Sequence, residues 1–93
     1  MDKLLKELRT IKARYIITKR VYDRAFKDWD EQIMARYEDK YLNLEFDLVD
    51  KGTKYLCLKG IISKETRHHL LNEAIEKDPD IHVKTAALVL KYI

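Results

Sequence analysis

The chain has 93 residues and a formal net charge of +3, with 46% of its residues hydrophobic and 38% charged. That length excludes two independent cores, and that balance is too apolar for a disordered chain. One cysteine, two glycines and one proline exclude a disulfide framework, a cysteine-rich zinc site and a fold of many tight turns.

A single domain over 1–93 is therefore expected, of the α+β class and predominantly helical. The lone Cys57 fits a reducing, cytoplasmic setting. No apolar run reaches membrane-spanning length and the N-terminus lacks a signal-peptide core, so no membrane partner is expected. Charge falls in blocks. Residues 1–27 carry nine basic against three acidic side chains, a balance of +6, and residues 28–50 carry two against eight, or −6. The remainder is +3.

Residues 3–37 contain neither Gly nor Pro and carry a heptad-spaced stripe: Leu4, Leu8, Ile11, Tyr15, Thr18, Tyr22, Ala25 and Trp29. This spacing predicts a long amphipathic helix. Continuous, it would run about 50 Å at 1.5 Å per residue. A compact chain of this length has a radius of gyration of only about 12 Å. The helix must therefore bend near Asp28-Trp29-Asp30, whose aspartates favour a helix start, or overhang its domain and meet a second copy. Off the stripe, Ile16 and Ile17 widen the apolar face and need a partner. Tyr22, Phe26 and Trp29 are expected in the core.

From Tyr41 the period shortens to two, with Leu42, Leu44, Phe46 and Leu48 alternating with polar residues. Asp50-Lys51-Gly52-Thr53 then offers a turn with glycine at a left-handed position. This predicts a β-hairpin over about 41–59, pairing 41–49 with 54–59. A helix competes for the stretch, because Leu42, Phe46, Val49, Thr53, Leu56 and Gly60 are also heptad-spaced and Leu, Glu, Asn and Asp are poor strand residues. Ser63 should cap a helix over 64–77 with Leu70, Leu71, Ala74 and Ile75 inward. Asp78-Pro79 should stop it and start a last helix over 80–92. That helix is nearly apolar all round from Ala86 to Leu90, which predicts burial against the first one.

Catalytic or metal chemistry finds little footing. Glu65, His69 and Glu73 share a helix face beside His68, but no His-x-x-x-His pair occurs and His82 lies elsewhere. No glycine-rich phosphate loop is present, Ser63 is assigned to a cap, and Cys57 sits among apolar residues as a small core side chain. No enzyme, cofactor or metal is expected. The basic block is the stronger signal: Lys3, Lys6, Arg9, Arg20, Arg24 and Lys27 lie opposite the apolar stripe of the first helix. With Ile16 and Ile17 they form the candidate binding surface. The leading expectation is a small non-enzymatic interaction protein that binds a protein partner through this charged helical surface, by occlusion or scaffolding. Its size and composition suit a regulator or inhibitor of the kind phages and mobile elements encode. Basic and acidic blocks could also pair antiparallel between copies in a coiled-coil homo-oligomer. The alternative is a nucleic-acid-binding protein using the basic face on phosphates.

Overall fold

A computed structural model describes residues 2–93, and the side chains of all of these except residues 2 and 73–75. The order is α1 (Asp2–Lys27), α2 (Glu31–Leu58), α3 (Lys64–His68), a π-helical segment (His69–Glu73), α4 (Ala74–Lys77) and α5 (Ile81–Leu90). Among the described residues there is no strand. The expected α+β class and the hairpin over 41–59 are therefore overturned, and the competing helical reading of that stretch holds.

The long N-terminal helix neither bends gently nor overhangs. It doubles back. Asp30 N–H donates to the Ala25 carbonyl at 2.8 Å and Trp29 N–H to the Phe26 carbonyl at 3.3 Å. This nested pair satisfies the last carbonyls of α1 in a Schellman arrangement. Its left-handed position is usually glycine and is here Trp29, with φ 57°. Asp30 then caps α2, its Oδ1 accepting from Ile33 N–H at 3.2 Å. Three residues end one helix and start the next.

Central in the fold, α2 is flanked by α1 on one side and by α5 on another. The α1 pairing is antiparallel: Tyr22 lies on Tyr41 with ring centroids 4.6 Å apart, Tyr15 reaches Glu45, and Glu7 faces Lys51. The α5 pairing is parallel, with His82 against Phe46 and Val89 against Gly52. Leu8, Tyr15, Leu48, Tyr55, Leu56 and Val89 form the buried cluster.

Because both neighbours press on α2, its apolar residues fall on two stripes. Leu44, Leu48 and Tyr55 continue the line of Tyr41 and Glu45 that meets α1, while Val49 and Leu56 continue the line of Phe46 and Gly52 that meets α5. Interleaved, two such stripes imitate a strand's alternation. Gly52 makes no turn. It sits inside α2, where an added Cβ would overlap the Val89 methyls, so glycine is needed for the helices to approach. The last helix packs on α2 and not chiefly on α1, a second correction. The chain beyond α5 reaches α1, where Lys12 Nζ donates to the Ile93 carbonyl at 2.9 Å.

Beyond the first turn of α5, α1 and α2 pack chiefly on each other. From 16 to 44, Ala25 alone is fully buried. The molecule is thus a body in which α5 and the 64–77 helical segments pack with the α1–α2 pair, extended by a two-helix arm, which explains extents of 42 × 32 × 17 Å and a radius of gyration of 14.1 Å.

Ser63 caps α3 as expected, its Oγ accepting from Thr66 N–H at 3.0 Å. Asp78 does not cap α5. Asp80 holds that position without a side-chain hydrogen bond, while Asp78 accepts from Asp80 N–H and Lys84 Nζ. The Lys84 contact holds the Asp78 carboxyl below its ordinary value and lifts the Lys84 ammonium above its own. Of the inward face expected for 64–77, Leu70 and Leu71 are half-buried, and the side chains of Ala74 and Ile75 lie outside the described residues.

Candidate interaction surface

On α1 the 3.6-residue period turns Leu4, Leu8, Ile11, Tyr15 and Tyr22 toward α2 and sends the basic residues outward. Lys3, Lys6, Arg9, Arg20, Arg24 and Lys27 are all exposed, as the sequence placed them. They form a ridge about 36 Å long at 1.5 Å per residue. Ile17 lies within the ridge at 64% exposure, whereas Ile16 is half-buried. The structure therefore leaves seven of the eight candidate residues exposed along the outer side of α1, with Ile16 half-buried at the edge beside Arg9, Arg20 and Lys27.

The acidic block does not neutralise this ridge. Among the described residues, the one ion pair on it is Arg24 with Asp28 at 4.0 Å, both well exposed. Such a pair contributes little. Three other acids of the block are occupied: Asp30 caps α2, Glu45 is buried against Tyr15, and Asp50 is held by Arg67. Among the described residues, Lys3, Lys6, Arg9, Arg20 and Lys27 carry no carboxylate partner.

Beside the ridge, between α1 and α2, lies an open groove of about 530 Å³ lined by Arg14, Ile17, Thr18, Lys40, Asn43 and Leu44. It adds two further cations to the apolar edge of Ile17.

At the tip of the arm the expectation of a buried aromatic cluster fails. Tyr22 is half-buried, but Phe26 is 57% and Trp29 77% exposed, their rings stacked at 6.2 Å. Trp29 falls on the heptad count, yet the helix has already ended there.

Across the arm's seam the buried Tyr15 hydroxyl donates to Glu45 Oε2 at 2.9 Å. Burial first, and the Glu45 bond second, push the Tyr15 phenol well above its ordinary value. Tyr41 is raised as well, by burial and then by Tyr22.

Of the residues weighed for metal, Glu73 has its side chain outside the described set. Among the described residues no three His, Cys, Asp or Glu side chains gather at one point. No helix of the described residues is long and apolar enough to cross a membrane. Cys57 is not a core residue: half-buried, it lines a second cleft with Lys54, Lys64 and His68. The sequence reading missed that cleft because one of its walls was taken for a strand.

No family model, curated protein or solved structure matches the chain.

Proposed function

We propose that the protein is a non-enzymatic interaction protein whose α1 ridge docks on an acidic surface of a protein partner. One observation carries this reading: Ile17, 64% exposed, sits within a line of cations of which, among the described residues, Arg24 alone has a carboxylate partner, the exposed Asp28 at 4.0 Å. Unpaired charge steers and orients a complementary surface, while an exposed aliphatic side chain gains affinity only where it meets an apolar one. The combination fits a protein surface better than a phosphate backbone. Occlusion or scaffolding is the mode, as in a regulator or inhibitor of the kind phages encode. Self-association no longer follows from an overhanging helix, since α1 folds back. It rests instead on the exposed Ile17, Leu42 and Phe46 of the arm.

A second reading, nucleic-acid binding, is favoured by the same unneutralised line of cations. Titration of labelled duplex and single-stranded DNA at low and high salt separates the two. The protein reading expects no tight DNA complex even at low salt. Binding that is salt-sensitive and abolished in Arg20→Glu/Arg24→Glu/Lys27→Glu, with the helical circular dichroism unchanged, would overturn it in favour of DNA.

A further inference from the structure

Away from the ridge, the end of α2 and the beginning of α3 are fastened together by one side chain. Arg67 Nε donates to Thr53 Oγ1 at 3.0 Å, and its Nη2 donates to Asp50 Oδ1 at 2.8 Å and the Asp50 carbonyl at 3.0 Å. This fork holds α3 across α2 and leaves a cleft of about 470 Å³ between them. That volume lies in the range of small-molecule sites.

The lining has two parts. Leu58, Leu71 and Cys57 supply apolar surface, and Lys54, Lys64 and His68 supply charge and hydrogen-bond donors. Among the described residues no carboxylate lines the cleft. Asp50 is taken up by Arg67, while among the described residues Lys54 and Lys64 have no acidic partner.

The imidazole is also set. Asn72 Nδ2 donates to the His68 carbonyl at 3.1 Å and lies 3.2 Å from His68 Nδ1. An amide nitrogen can only donate, so Nδ1 is the acceptor of the neutral ring and Nε2 carries the proton. Asn72 belongs to the π-helical segment, an insertion of the kind often found at functional sites.

We infer that this cleft binds a small organic anion, with an apolar body on Leu58 and Leu71 and a phosphate-type head among Lys54, Lys64 and the His68 Nε2–H. Two ammonium groups and an N–H donor without a carboxylate competitor suit a phosphate monoester. The apolar wall distinguishes an organic ester from the free ion. The site is independent of the ridge, and its failure would leave the interaction reading untouched.

Cys57 provides a local reporter, being the sole cysteine and part of the lining. The test follows its alkylation by iodoacetamide in the full chain under increasing phenyl phosphate, with calorimetry of the same titration giving affinity without the thiol. Saturable protection is expected, weakened about tenfold in Lys54→Gln/Lys64→Gln with unchanged helical circular dichroism. Phenol and inorganic phosphate should each protect about tenfold less well. Absence of both heat and protection, or equal binding by the double variant, would overturn the site. Equal binding of inorganic phosphate would overturn the organic half of the assignment.

Discussion

The Tyr15 hydroxyl and the Glu45 carboxyl meet at 2.9 Å inside the seam between α1 and α2, where both residues are buried. Two polar groups with one shared bond make this seam specific in register, because sliding either helix strands both. Tyr15→Phe should cost about 1–3 kcal/mol, the penalty for leaving a buried acceptor unpaired. Tyr15→Phe combined with Glu45→Leu should recover much of that loss. Urea unfolding of the two single variants and the double variant gives the coupling, and strict additivity would mean the bond contributes nothing.

The same pair has a pH signature. An unfolded tyrosine ionises near 10.0, and the folded Tyr15 well above that. Above pH 10 the unfolded chain therefore loses a proton that the folded chain keeps, and stability falls with rising pH. The contribution is complete below about pH 10 and disappears as pH climbs through the folded value. Thermal melts should show a steeper alkaline decline in the parent than in Tyr15→Phe. Equal slopes would remove Tyr15 as the source.

Gly52 is the contact point of α2 with α5. Gly52→Ala should gain about 1 kcal/mol of helix propensity and lose about 1–3 kcal/mol to overpacking against Val89, a net destabilisation. In a Val89→Ala background the same change should turn neutral or stabilising. The four melting temperatures decide it. A strand-and-turn structure over this region would predict damage at Gly52 in both backgrounds.

Trp29 holds a left-handed backbone with a bulky side chain, a conformation that costs about 1–3 kcal/mol in a non-glycine residue. Trp29→Gly should therefore raise the melting temperature although it deletes the largest side chain in the protein. A fall would show that the Phe26–Trp29 stack outweighs the strain.

The sequence made the first helix, its break and the Ser63 cap readable, because each rests on local chemistry. Heptad spacing, paired aspartates and a serine before a helical run all act within a turn or two. What it could not reveal was direction. Asp28-Trp29-Asp30 marks an end, but only the tertiary fold shows that the chain reverses there, which leaves Trp29 in the open instead of in the core. The 41–59 stretch failed for a related reason: a helix buried on two sides carries two apolar stripes, and 42, 44, 46 and 48 sample both. Phe46 meets His82 at the start of α5 and Leu42 continues that line beyond it, and the two stay 52% and 43% exposed. Gly52, read as a turn, answers to Val89, thirty-seven positions later in the chain. The ridge was readable because charges opposite an apolar stripe face outward whatever the fold. The cleft was not, since Lys54 and His68 meet only through the packing of α3 on α2.

The most direct test of the account is a photo-crosslinking residue placed at position 17 in the cells that make the protein. The expected result is a discrete adduct that protease removes and nuclease does not, lost when Arg20 and Arg24 become Glu. A nuclease-sensitive adduct, or none under conditions where a body position such as 83 gives one, would contradict the claim that this ridge docks on a protein.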